Sequence, residues 1–240
     1  MFEPVMTSEF WLALLEITGI NILLSGDNAV VIALASRALP PHQRNAAVLG
    51  GSAGAIALRI FFCLIVIWLL SIPYLKLIGG LLLLYIGVKL LVPGEEAGEG
   101  IDAKSSLWAA MQTIILADAV MSLDNVVAIA AAAHGSTLLI VLGLLISVPL
   151  IIFGSQLVLK LLVRVPLLVT AGGGLLGWIA GEIIVSDPAV QGWLPVSPHT
   201  LELAARPLFA ALVVLTGTLL ARRAAARVHP IVDLAPGEPR

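Results

Sequence analysis

Two short polar stretches interrupt an otherwise apolar chain: residues 21–28 (NILLSGDN) and 118–125 (DAVMSLDN). Both offer carboxylate, amide and hydroxyl oxygen. Neither has a histidine or thiol close by, since His42, His134, His199 and His229 fall in loops or tails and the lone Cys63 has no partner. Oxygen-only donor sets suit magnesium, calcium or manganese, whereas zinc and copper favour imidazole and sulfur. In a helix Asn21, Ser25 and Asn28 stand at i, i+4 and i+7 on one face, and Asp118, Ser122 and Asn125 repeat that spacing. Asp27 and Asp124 lie beside the stripe, about 100° round a regular helix. They would turn inward if the chain unwinds at Ser-x-Asp-Asn, which Gly26 favours in the first stretch more than Leu123 does in the second.

An aspartate at mid-membrane costs about 2.5–3.5 kcal/mol on insertion scales. Asp27, Asp118 and Asp124 therefore need compensation, and Arg59 is the only nearby cation expected from the sequence. A bound cation or protonation would supply the rest; the bland alternative is neutral, hydrogen-bonded glue between helices. Two further acids are accessory candidates. Glu16 precedes Asp27 by eleven residues on almost the same face, and Glu182 ends an apolar run with Asp187 just behind it, where plain solvation is the competing reading.

The elements that must position these groups are membrane helices. The chain has 240 residues, 60% hydrophobic and only 12% charged, with a mean hydropathy of +1.07; a soluble domain carries about 25% charged residues. Apolar runs such as 56–72 and 138–159 are continuous, unlike the short alternating strands of a barrel. A net charge of −2 without a basic patch argues against nucleic acid as a partner. The start carries Glu3 and Glu9 and no basic residue, so the first apolar segment reads as a retained helix and not a cleaved signal.

Cutting at charges and turn formers gives an all-α polytopic membrane protein with seven spans, approximately 10–36, 45–71, 74–92, 105–133, 137–160, 166–185 and 204–222. An acidic linker occupies 93–104, with Glu95, Glu96, Glu99 and Asp102; an outer loop occupies 187–203 and a tail 223–240. Placing the amino terminus outside puts ten of the 13 basic residues on the cytoplasmic side, from Arg37 and Arg44 through Lys89, Lys160 and Arg164 to the carboxyl-terminal arginines. Only Lys76 and Arg206 fall outside, with Arg59 inside a span. The location expected is the cell membrane, carboxyl terminus inward.

A shift of 97 positions lays Ser25–Ala35 on Ser122–Ala132 with seven of eleven residues identical, and lays Asn21 on Asp118. A shift of 93 then lays Pro73 on Pro166, Gly79-Gly80 on Gly172-Gly173 and Lys89 on Glu182. Spans one to three (1–92) thus repeat as spans four to six (105–186), and the seventh is an addition. Three spans per copy force the second copy to enter upside down, the inverted-repeat arrangement of many secondary transporters. The paired glycines read as close-packing surfaces between helices.

The stretches Asn21–Ala35 (NILLSGDNAVVIALA) and Asp118–Ala132 (DAVMSLDNVVAIAAA), with Gly177–Asp187 (GWIAGEIIVSD), resemble the TerC family of integral membrane proteins, in particular its YjbE-like branch of metal transporters. Members of that family are implicated in manganese efflux. The resemblance implies a manganese site from Asn21, Asp27, Asp118 and Asp124, with Asn28 and Asn125 beside them. Many members carry an acid where this chain has Asn21, so one charge fewer is present here.

The expected function is secondary transport exporting a divalent cation, manganese first, with Ser25 and Ser122 completing the oxygen shell and protons as a counter-flux. No Walker motif is present, so ATP is not the direct energy source. The ion is cargo, no cofactor is expected, and no catalytic residue is assigned. An intramembrane metal-dependent enzyme and a non-transporting partner that loads metal into exported proteins are the competing classes. The sequence leaves open a homo-oligomer.

Overall fold

A computed structural model describes residues 7–70, 72–92, 103–193 and 197–228. The acidic residues Glu95, Glu96, Glu99 and Asp102 of the linker, like the tail beyond 228, lie outside the described residues. Every regular element among those described is an α-helix: α1 (Ser8–Leu24), α2 (Asn28–Arg37), α3 (Pro41–Leu64), α4 (Val66–Leu70), α5 (Leu75–Leu91), α6 (Ala103–Ala132), α7 (Thr137–Arg164), α8 (Leu167–Val185), α9 (Pro188–Trp193) and α10 (Pro198–Val228).

Five of these helices (α3, α6, α7, α8 and α10) are long and apolar enough to cross a membrane, and α1 with α2, bent by 51° at the break between them, makes a sixth candidate when the pair is taken as one span. At 17 residues, α5 is slightly shorter than those five. Large apolar side chains such as Leu15, Leu23, Phe153, Leu157, Leu208 and Leu215 are exposed on the outside of the bundle. Water would penalise such a surface, whereas lipid tails accept it.

Expected boundaries change in three places, the first being the second span (45–71), which begins at Pro41 and is divided at Ile65 between α3 and α4. The outer loop holds the short helix α9, and α10 extends well beyond 204–222 at both ends: Pro198 is suited to the first turn of a helix, and the helix runs on through Pro207 to Val228. The buried Asp187 does more than meet solvent. Its carboxylate accepts from Ala189 N at 2.9 Å and from Leu77 N at 3.1 Å, so it caps the start of α5. That helix needs an outside cap because Tyr74, at its N-cap in a left-handed conformation (φ 61°), supplies none.

Helices α1 and α2 pack on α7, while α3 packs on α6; α5 packs on α8, and α10 covers both. Glycines set the approach distances, as expected for Gly79-Gly80 and Gly172-Gly173. A methyl at Gly172 would lie 2.9 Å from Leu34 Cδ1, and one at Gly80 would lie 3.0 Å from the Ala180 carbonyl. Such contacts matter in lipid, where packing and not water exclusion holds helices together. One apolar cluster centres on Val31, Leu83, Ala117 and Leu176, and a second on Ile17, Val126, Ile129 and Leu144. Along α1–α2 and along α6 the polar stretches fall between the two.

Candidate functional site

The first polar stretch breaks its helix. Glycine, serine and aspartate are weak in a helix interior, and at Ser25–Asp27 the chain turns between α1 and α2. Asp27 restarts the helix as N-cap, its Oδ1 accepting from Asn28 N at 2.9 Å. The second stretch, with Leu123 in place of Gly26, stays helical throughout α6. The unwinding that Gly26 favours thus occurs at the first Ser-x-Asp-Asn stretch and not at the second.

That difference decides where the acids point. Around Arg59 of α3, only 3% exposed, the structure gathers Asn21, Ser25, Asp118 and Ser122. Arg59 Nε donates to Ser122 Oγ at 2.9 Å and NH1 donates to Ser25 Oγ at 2.7 Å. NH1 also donates to Asn21 Oδ1, and NH2 forms an ion pair with Asp118. Asn28 Nδ2 donates to Asp118 Oδ1 at 2.6 Å, and Ser122 Oγ donates to Asp118 Oδ2 at 3.2 Å. Asn21 also donates to Ser147 of α7. Residues of the two stripes thus meet around Arg59. Asn125 Nδ2 reaches across to the Leu24 carbonyl at 3.3 Å, one of the carbonyls the break leaves without an intrahelical partner.

Asp27 and Asp124 stand apart from this cluster. On an unbroken α6, Asp124 stays off the stripe; its side chain is 46% exposed and pairs with Lys76 at the start of α5. Arg59 is thus not the only cation near the three aspartates, and two of the three have a protein counter-charge. Asp27, half-buried at the bend, has no ion pair among the described residues. Of the accessory candidates, Glu16 is exposed and away from the cluster, and Glu182 pairs with Arg206 of α10 at 2.8 Å. Among the described residues no three carboxylate, imidazole or thiol groups converge.

Beside Arg59 lies a cavity with about 20 Å³ open to the centre of a water-sized sphere, lined by Asn21, Asn28, Ser52, Asp118 and apolar residues of α2, α3, α6 and α7. That volume is enough for about one water-sized occupant. Two of its residues carry buried oxygens without a partner, Asn28 Oδ1 and Ser52 Oγ. Buried polar atoms are nearly always satisfied, so these two mark a place for an occupant.

The model of the integral membrane protein TerC family matches residues 6–225. The chain belongs to the TerC family. This TerC-family protein is 48% identical to the membrane protein YjbE of Bacillus subtilis over 182 residues, 76% of this chain and 83% of that one. It is 28% identical to YkoY of the same organism over 83% of this chain and 68% of that one. A third relative, the UPF0053 inner membrane protein YoaE of Escherichia coli, is 28% identical over 52% of this chain and only 28% of its own length. No solved structure matches. In the TerC-family chain, sequence reasoning missed Ser52 and Ser147, single serines in apolar runs that mostly serve packing, and named Arg59 as a nearby cation without assigning it to any one aspartate. The position of Arg59 seven residues after Ser52 on one face of α3 was the available signal.

Proposed function

We propose that the protein is a secondary transporter that exports a divalent cation, manganese first, through a site shared by its two three-helix repeats. The observation that carries this reading is the cavity where Asn28 and Ser52 have unpartnered oxygens beside the Asp118 carboxylate. Amide, hydroxyl and carboxylate oxygen is the donor chemistry of hard cations. Asn21, Ser25, Ser122 and Asn125 orient the donors.

The packing supports an inverted repeat. The broken first span lies on the middle helix of the second copy, α7, and α6, the first span of the second copy, lies on the middle helix of the first, α3. Gly51 of α3 meets Ile114, and Gly143 of α7 meets Ile17; Ile17 and Ile114 are equivalent at the shift of 97. Seven spans follow if α5 and α8 are equivalent crossings. With the amino terminus outside, Asp27 faces the inner approach to the site and Asp124 the outer one, closed by Lys76. One copy bent and the other straight is what two repeats exchanging shapes would adopt in one of their two states.

Purified protein in detergent should bind Mn²⁺, with metal identified by mass spectrometry and affinity measured by calorimetry. Asp118→Asn should lose binding by about 100-fold or more, since a buried charge contributes strongly to ion affinity. An Asp118→Asn protein that binds Mn²⁺ as the wild type does would remove the site from the cavity.

A further inference from the structure

We propose that Arg59 is a tethered counter-cation: its guanidinium holds Asp118 while the carrier is empty, and a divalent cation binds only by taking that carboxylate from it. The inference rests on the transporter reading above and adds how the empty carrier is neutralised.

The contacts of Arg59 are the argument. Its donors go to Asn21, Ser25, Asp118 and Ser122, the same oxygens that the two stripes present as candidate donors to an ion. Asp118 Oδ1 already accepts from both Arg59 and Asn28, and Oδ2 from Ser122. No lone carboxylate is left over for an ion in the cavity alongside. A dication placed between Asn28 Oδ1, Ser52 Oγ and Asp118 would sit against a guanidinium, and like charges at contact distance in a poorly solvated site repel strongly. The two cations therefore exclude one another at Asp118. Asn21, Ser25 and Ser122 keep the guanidinium close, so that loss of the ion restores the pair.

This arrangement has a consequence for transport. An empty carrier must return across the membrane to take up its next ion, and a bare buried carboxylate would oppose that step. The Arg59–Asp118 pair carries no net charge, so the empty protein can reorient without metal. Removing the guanidinium should tighten metal binding and block the empty return, yet spare the exchange of one metal ion for another, which never passes through the empty state.

The test uses the full chain in sealed vesicles, with wild type, Arg59→Gln and Arg59→Lys, reading Mn²⁺ affinity, net Mn²⁺ efflux and exchange of internal Mn²⁺ for external radioactive Mn²⁺. Arg59→Gln should bind about ten-fold tighter or more, lose net efflux by at least about ten-fold and keep exchange within about two-fold. Arg59→Lys keeps the charge without the fork, so it should keep net efflux and bind about two- to five-fold tighter. If Arg59→Gln does not fold, the Arg59→Lys affinity decides, and an unchanged value overturns the inference. Loss of exchange together with net efflux in folded Arg59→Gln, or wild-type affinity and efflux in it, overturns the inference as well. A wild type that neither binds nor carries Mn²⁺ would instead sink the transporter reading itself.

Discussion

Asp118 receives hydrogen bonds from α2 through Asn28, from α3 through Arg59 and from its own helix through Ser122. A buried ion pair of this kind adds little net stability, but breaking it from one side is costly, about 3–5 kcal/mol, because the surviving charge is left alone. Asp118→Asn should therefore lower the thermal unfolding temperature in detergent, and the double variant Arg59→Gln/Asp118→Asn should recover most of that loss. Neither should bind Mn²⁺. Recovery of stability without recovery of binding separates the structural part of the pair from its part in the site; a double variant as unstable as the single one would show that the pair is not the coupled unit described. The i, i+4 spacing of Asn21 with Ser25 and of Asp118 with Ser122 made these polar pairs legible in advance, because helical period determines them, whereas Asn28 reaches the cluster through the bend. The partner of Asp124 was not legible, since Lys76 is 48 residues away and their meeting depends on how α5 lies on α6.

The bend at Ser25–Asp27 is the element on which the site depends. It turns Asn28 into the Asp118 carboxylate and leaves Asn28 Oδ1 facing no partner. Gly26 is open enough for a side chain, since a methyl there would meet only the Leu23 carbonyl at 3.9 Å. Gly26→Leu, which copies the second repeat, should therefore fold. It should favour an unbroken helix by about 0.5–1 kcal/mol and weaken Mn²⁺ binding by about two- to five-fold, as the bend that presents Asn28 to Asp118 is straightened. Calorimetry on the variant checks this, and wild-type affinity would mean the bend does not shape the site. That the chain is all-helical, with several helices long and apolar enough to cross a membrane, was legible from apolar runs and breakers. Whether each Ser-x-Asp-Asn stretch unwinds was not, because the two copies differ at Gly26 and Leu123 by an amount of energy that neighbouring helices can reverse.

At the scale of the molecule, an apolar exterior surrounds a polar cluster to which α1, α2, α3, α6 and α7 contribute. The proposed orientation, basic loops inward, predicts that Ser136→Cys and Gln191→Cys react with a membrane-impermeant thiol reagent from outside intact cells and that His42→Cys does not. Labelling of His42→Cys from outside would reverse the orientation and with it the assignment of Asp27 to the inner approach. The repeat was legible because seven identities in eleven positions survive around the functional stretch; the packing of α3 on α6 and of α1–α2 on α7 was not, because glycine contacts that set it are spread over four helices. The central claim is that an ion crosses the membrane through the Asp118 cluster. The measurement is Mn²⁺ flux into or out of sealed vesicles containing only this protein. Wild-type vesicles should move Mn²⁺ down its gradient, and Asp118→Asn vesicles, holding the same amount of folded protein, should leak no faster than protein-free ones. Equal flux in the two, or none with wild type, would contradict the account.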